Sequence, residues 1–236
     1  MTTAPDDPGK IAAAARTIVV ETLTRLSYNP PGPDFFRRIE KFAAALALWG
    51  SKLNLTSAPN DPAEIAFHII DSLTPLILAG RAEGAALAGA FAAGVRVLDL
   101  GSGAGFPSLI LAAASDASFT LLEARRKRAS FLTVTAAEMG LANVRVDSTR
   151  ADSVTLEPVF DTVTARAFAE PAIVYRTAAS ALKPGGRVIL YASPAQRVAI
   201  ERASIDGFEL PVFLGYEVPR GAATVPHVIA VSRRRV

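Results

Sequence analysis

Val97-Leu98-Asp99-Leu100-Gly101-Ser102-Gly103-Ala104-Gly105-Phe106-Pro107 is the stretch that decides the fold class of this 236-residue chain. A β-rich run enters it, glycines interrupt it at alternate positions, and a helical pattern leaves it near Pro107. A glycine-rich turn between strand and helix lets the backbone approach a ligand closely at the carboxyl end of a parallel sheet. The turn is not a dinucleotide fingerprint, because G-x-G-x-x-G starting at Gly101 needs glycine where Phe106 stands.

Outward from this loop, short β-rich runs alternate with helical patterns. Strands are expected at Val95 to Leu100, Phe119 to Leu122, Val144 to Asp147, Phe160 to Thr164 and Arg187 to Tyr191. Helices are expected near Pro107 to Ala114, Arg125 to Met139 and Pro171 to Leu182. This alternation predicts an α/β fold with a mostly parallel, doubly wound sheet. Phe208 to Leu214 and His227 to Val231 follow with no helical pattern between them, which predicts an antiparallel pair at one sheet edge.

Upstream the period is helical. Phe35, Ile39, Phe42, Leu46 and Trp49 recur at spacings of four and three, so one apolar face is expected as core, with Asp34 as N-cap and Gly50 as the stop. A helix from about Lys10 to Leu26 is set apart from it by Asn29-Pro30-Pro31-Gly32-Pro33, and a third covers about Pro62 to Leu78. The expected division is an N-terminal helical cap and connection over 1–94 and a core over 95–236.

Composition narrows the chemistry. Mean hydropathy is +0.31, but 45 residues are alanine, and the longest uninterrupted small and apolar stretch, Gly84 to Val95, stops well short of the about 18 residues of a spanning helix. Asp6 and Asp7 stand where a secretory signal would carry positive charge, so a cytoplasmic protein is expected. The absence of cysteine excludes disulfides, thiolate metal sites and a Cys nucleophile, and two isolated histidines offer no metal-ligand spacing. A net charge of +3 means that any nucleic-acid partner must be met by local clusters such as Arg125-Arg126-Lys127-Arg128.

The pattern D-x-G-x-G-x-G from Asp99 to Gly105 resembles motif I of Rossmann-like class I S-adenosylmethionine methyltransferases. Glu123 ends the next strand, where a carboxylate can accept both ribose hydroxyls, and Asp152 follows the third strand, placed for the exocyclic amine of adenine. Each piece has a plainer reading: turn chemistry for the glycines, a pairing with neighbouring arginines for Glu123, a cap for Asp152. Their joint occurrence in the right strand order favours a cofactor site. Methylation at pyrimidine C5 ordinarily needs a Cys nucleophile, and the Asn/Asp-Pro-Pro-aromatic motif of adenine amino methylation is missing after the fourth strand, which runs into Ala165-Arg166-Ala167-Phe168. A guanine N7 lone pair carries no proton to remove, so positioning alone can supply most of the acceleration.

With the strings Trp49 to Thr56, His68 to Leu73, Lys127 to Leu132, Arg150 to Asp152 and Phe160 to Ala167, the chain resembles the 16S ribosomal RNA guanine-N7 methyltransferase family, also called the glucose-inhibited division protein B family, from about Asp34 to Val231. The resemblance implies S-adenosylmethionine as cofactor, held at Asp99, Gly101, Gly103, Gly105, Phe106, Glu123, Ala151, Asp152 and Arg166. It implies RNA contacts at Asn54, Thr56, Lys127, Arg128 and Arg150, with Arg166 also the catalytic residue. The implied partner is 16S ribosomal RNA or the small ribosomal subunit, met by a monomer with no metal and no membrane. Spacing alone reads Asn54 and Thr56 as loop closure, and His68 as a hydrogen-bonded structural histidine rather than a base. One departure stands out: where the family usually has Lys-Gly after the fifth strand, this chain has Tyr191-Ala192-Ser193-Pro194, leaving Arg187 or Arg197 as substitutes. The rival readings are a methyltransferase for another RNA or a small molecule, and a non-catalytic cofactor-binding factor in ribosome assembly.

Overall fold

The computed structural model describes residues 7–30, 34–149, 157–204, 207–221 and 223–236. Three helices come first: α1 (Pro8–Arg25), α2 (Phe35–Leu53) and α3 (Pro62–Ala79). Asp7 and Asp61 cap α1 and α3, each accepting a backbone N–H two residues on, with proline in the first turn where no N–H is needed. A 3-10 segment, Ala82–Leu87, then leads to β1 (Arg96–Leu100), α4 (Ser108–Ala113), β2 (Ser118–Leu122), α5 (Arg126–Met139) and β3 (Val144–Asp147). After it come β4 (Phe160–Arg166), α6 (Pro171–Ala181), β5 (Leu182–Ala192), α7 (Arg197–Ser204), β6 (Val212–Arg220) and β7 (Ala223–Arg233).

The seven strands form one sheet in the order β3-β2-β1-β4-β5-β7-β6. The first five are parallel neighbours, and β7 pairs antiparallel with both β5 and β6. The order reverses between β1 and β4, and a crevice at the carboxyl ends of these strands is where such sheets bind ligands. Alternating side chains feed two cores. Val97 of β1 and Ile189 of β5 face the cap, whereas Leu98, Leu100, Val188 and Leu190 face α6 and α7. The cap-side cluster runs from Ile11 through Phe42 and Leu73 to Val231, so cap and sheet share one core across residue 94. Although α3 is long and apolar enough to cross a membrane, 67% of it is buried inside the protein, as in a core helix.

Several local expectations need correction. Gly50 does not stop α2: it is a buried helical residue packed so tightly that a Cβ would lie 2.2 Å from Pro59, and the helix runs on to Leu53. Asp34 flanks α2 but its carboxylate binds Arg37 instead of capping the helix. Trp49 leaves the core stripe, being 43% exposed. The penultimate strand starts at Val212, because Pro211 has no N–H to give a ladder; Phe208 makes an isolated bridge to Arg234. Helix α7 was not expected, yet Ser193-Pro194-Ala195-Gln196 before it forms a capping box that the sequence displays.

Candidate active site

The glycine loop follows β1 and is tied to the end of β2. Gly101 and Ser102 donate their N–H groups to Leu122 O at 2.9 and 3.2 Å, and Gly103 N–H donates to Glu123 Oε2 at 2.9 Å. The second Glu123 oxygen accepts Arg125 N–H at 2.8 Å. Glu123 is 6% exposed, so two backbone donors hold a desolvated carboxylate in place, with lone pairs left for ligand hydroxyls. Gly101, at φ +70°, brings the turn so close to Phe168 that a Cβ would stand 2.4 Å from the ring. At Gly103, also left-handed, a Cβ would meet no side chain within 4 Å.

A cavity of about 250 Å³ opens over this loop, lined by Thr56, His68, Gly101, Gly103, Phe106 and Arg166 among others. Thr56 Oγ1 is buried there without a hydrogen-bond partner. A second cavity of about 250 Å³ lies beyond Arg166, lined by Asp71, Tyr191, Ser193, Gln196 and His227. Arg166 and Ala167 belong to both walls. Ala167 holds φ +51°, an uncommon conformation for a non-glycine residue.

Arg166 ends β4 and is held from three sides. Its Nε lies 3.3 Å from Asp71 Oδ2, its Nη2 donates to His68 Nδ1 at 2.7 Å, and its guanidinium sits over the Phe106 ring at 5.6 Å. Nη1 is buried with no partner, a donor available to an acceptor atom at the boundary of the two cavities. Burial and the Arg166 charge push His68 down to about 4, so the ring is neutral and Nδ1 accepts while Nε2 carries the proton. Asp71, 1% exposed, also accepts Tyr216 Oη–H at 2.7 Å and His227 Nδ1–H at 2.8 Å on Oδ1. Burial pushes its carboxyl up, but the His227 and Tyr216 hydrogen bonds and Arg166 outweigh that and hold it below the usual range.

Asp99 is fully enclosed behind the loop. Its Oδ1 accepts Thr164 Oγ1–H at 2.8 Å across the β1–β4 register while Oδ2 has no partner, and burial pushes the carboxyl up to about 6 against hydrogen bonds from Ser102, Thr164 and Ser108. Gly105 packs on Leu109 and Phe42. Phe106 stacks edge-on against Phe42 and tilts against His68, which joins loop and cap.

The expected RNA contacts separate. Arg128 lines the first cavity and donates to Asn54 O, while Asn54 itself ends α2 in the left-handed conformation at φ 49°. Lys127, one helical step away, lines a different groove with Trp49, Leu53 and Val134. Arg150, Ala151 and Asp152 lie outside the described residues. Neither arginine suggested for the missing lysine reaches the site: Arg187 donates to Ala86 O and Ala88 O of the connection, and Arg197 stacks on Phe213. Ser193 and Gln196 stand at the second cavity instead. Sequence reasoning assigned no role to Asp71, Tyr191, Tyr216 or His227. Asp71 lay within the quoted His68 to Leu73 string, but only the register Tyr216↔His227 and the packing of α3 on β6 bring Tyr216 and His227 to it, while Tyr191 comes from β5 and donates to Ser72 O of α3 at 2.9 Å. Among the described residues no group of three or more His, Asp or Glu could hold a metal ion.

A family model described as rRNA small subunit methyltransferase G matches residues 36–206. The chain is 33% identical over 189 residues to ribosomal RNA small subunit methyltransferase G of Wolinella succinogenes, covering 79% of this chain and 90% of that protein. It is 39% identical over 175 residues to the protein of that name from Acidiphilium cryptum, covering 73% and 74%. Solved structures agree on the fold. TrmN from Thermus thermophilus superposes with TM-score 0.51 at 23% identity, covering 72% of this chain and 53% of that one. A SAM-dependent O-methyltransferase from Thermotoga maritima gives 0.53 at 16% identity, covering 71% and 65%.

Proposed function

The chain belongs to the GidB family of rRNA small subunit methyltransferase G proteins, and on that premise we propose that it transfers a methyl group from S-adenosylmethionine to N7 of a guanine in 16S ribosomal RNA. The observation that carries the reading is Arg166, standing in the wall between a glycine-loop cavity and a second cavity at the carboxyl ends of β4 and β5. The residues present fit the cofactor. A partnerless Thr56 hydroxyl lines the first cavity, Gly103 leaves room that a side chain would take, and the Glu123 carboxylate keeps spare acceptor capacity.

When bound, the cofactor supplies a methyl carbon whose S–C bond breaks with its electron pair left on sulfur, while the N7 lone pair forms the new N–C bond and the base takes up the positive charge. No proton has to leave, so the protein's task is placement and charge management. Glu123 accepts the ribose hydroxyls, and its own position is fixed beforehand by Gly103 and Arg125. Gly101 and Gly105 let the loop turn beneath the ligand, and Phe106 closes the cavity toward the cap. Asp71 neutralises Arg166, which keeps the boundary from repelling a cationic methyl donor. Arg166 then acts as a fixed hydrogen-bond donor. RNA meets Arg128 and the loop of Asn54 and Thr56 at the mouth, with Lys127 contributing from the neighbouring groove; Arg150 is a further RNA contact in this reading, and the protein works in the cytoplasm as a monomer.

The test is incubation of the purified chain with labelled S-adenosylmethionine and small-subunit RNA or subunits lacking the modification, followed by mapping of the label. Label at one guanine N7 is expected. Measurable cofactor binding without it would sink the reading.

A further inference from the structure

The second cavity is built around a polar network that the transfer as described does not use. Asp71 fixes His227 from α3: because the ionised carboxylate accepts at 2.8 Å, His227 Nδ1 carries the proton and Nε2 is left as an acceptor. Tyr216 donates to the same Asp71 oxygen and meets the His227 ring edge-on at 5.7 Å, while Phe67 packs on it at 5.8 Å, so the imidazole is held by its neighbours. Its side chain is nevertheless 22% exposed and lines the cavity. Gln196 stands across the cavity mouth, but its Oε1 already accepts the Ser193 N–H. The remaining wall, formed by Ala167, Pro171 and Leu190, is apolar. A flat apolar side facing a side that carries polar groups suits one planar base, which can stack on the first and be read along its edge by the second.

The geometry points to this cavity as the seat of the acceptor guanine, with His227 Nε2 accepting an N–H of the base's Watson–Crick edge. The inference rests on the proposed guanine-N7 transfer and names how that site reads its base. For a contact at N1, guanine offers an N–H whereas adenine presents a bare acceptor that would face the Nε2 lone pair, and adenine's N6 amine lies where guanine carries O6, so the tautomer set by Asp71 favours guanine there. The same contact serves the reaction. As N7 takes the methyl group the ring becomes cationic, its N1–H becomes more acidic, and its hydrogen bond to an imidazole Nε2 whose Nδ1–H is held by a carboxylate strengthens. An interaction stronger in the transition state than in the ground state raises kcat. The proton stays on the base throughout. The two histidines thus hold opposite roles: His68 keeps Nε2–H as a donor in the first cavity, and His227 keeps Nε2 as an acceptor in the second.

The experiment compares the full-length wild type with His227→Ala and His227→Gln on unmodified small-subunit RNA. It reads kcat, KM for RNA, affinity for S-adenosylhomocysteine by calorimetry, and melting temperature. The Gln amide can give N–H to Asp71 and offer its oxygen to the base, so it stands in for the tautomer-fixed ring. His227→Ala should lower kcat about 10- to 100-fold with cofactor affinity and RNA KM within about two-fold of wild type, and His227→Gln should recover part of the loss. An unchanged kcat, a loss carried by KM or cofactor affinity alone, or a folded Gln variant no faster than Ala overturns the assignment. Should the Ala variant not fold, His227→Phe takes its place, and equal turnover of Phe and Gln overturns it. Failure of the wild type to label guanine N7 at all strikes the proposed function itself, and is seen before any variant is made.

Discussion

Replacing Asp71 with Asn tests the centre of the site with little change of shape. Three donors converge on the carboxylate: Tyr216 Oη and His227 Nδ1 on one oxygen at 2.7 and 2.8 Å, and Arg166 Nε on the other at 3.3 Å. An amide has one oxygen, so either Arg166 or the Tyr216–His227 pair must face an N–H, and Arg166 loses its anionic partner. Removing one member of a buried ion pair costs about 3–5 kcal/mol. With the Arg166 side chain 17% exposed, water relieves part of this and the lower end, about 3 kcal/mol, applies. At about 2–4 °C per kcal/mol for a chain of this size, Tm should fall by about 6–12 °C. The Asp71 carboxyl is held below its ordinary value, so its stabilisation is complete above that value and is lost only as pH falls through the lower folded one. The Tm gap between wild type and Asp71→Asn should therefore be the same at pH 6 and pH 8. Calorimetric melts at both pH values check this, alongside methyl transfer, which should fall with stability because Arg166 and His227 lose their common anchor. A Tm within about 2 °C of wild type together with full transfer would falsify the idea that Asp71 organises the site.

Arg166→Ala should lower transfer by about two to three orders of magnitude, and full activity would show the central assignment to be wrong. Asp99→Asn should stabilise the protein at neutral pH: burial lifts the Asp99 carboxyl to about 6, so stability present at acid pH is lost as pH rises from about 4 through 6, about 3 kcal/mol in all, and Asn removes that loss. Urea melts from pH 5 to 8 should show the variant gaining on wild type as pH rises, and a constant difference refutes the account. Gly101→Ala combines a left-handed backbone with a Cβ 2.4 Å from Phe168. It should cost at least about 1–2 kcal/mol and weaken S-adenosylhomocysteine binding in calorimetry, whereas wild-type affinity would remove the close-approach rationale.

Why the core and the loop could be read from sequence, and the second cavity could not, follows from where each is encoded. The glycines at 101, 103 and 105 and the carboxylate at 123 are set by local chemistry: positive φ at all three glycines, and a strand end that places Glu123 beside Gly103 N–H. Strand and helix alternation carries the parallel sheet in the same way. The antiparallel C-terminal pair is present and His227 to Val231 lies within β7, but the strand before it starts at Val212 rather than Phe208 because Pro211 delays it. Asp71, Arg166 and His227 are separated by 95 and 61 residues in sequence and meet only through tertiary packing. No spacing rule announces such a triad.

That separation also explains what the helical cap is for. A cofactor loop at the β1–β4 switch point needs nothing from residues before the sheet to bind a ligand. Yet Thr56, His68 and Asp71 all come from the first third of the chain, and Asp71 and His68 are what orient Arg166. His68 reads Arg166 as a donor, and Asp71 reads both Arg166 and His227 as donors, so a single helix, α3, sets the hydrogen-bonding sense of both cavities. The apolar face that buries α3 against the sheet, from Ile65 through Ile69 to Leu73, fixes His68 and Asp71 as rigidly as the core itself. A polar site positioned by core packing needs no loop closure to assemble its protein groups, and Asp71→Asn should accordingly disturb stability and transfer together, whereas a change confined to the half-buried Arg128 at the cavity wall should alter RNA affinity with a smaller effect on the melting temperature.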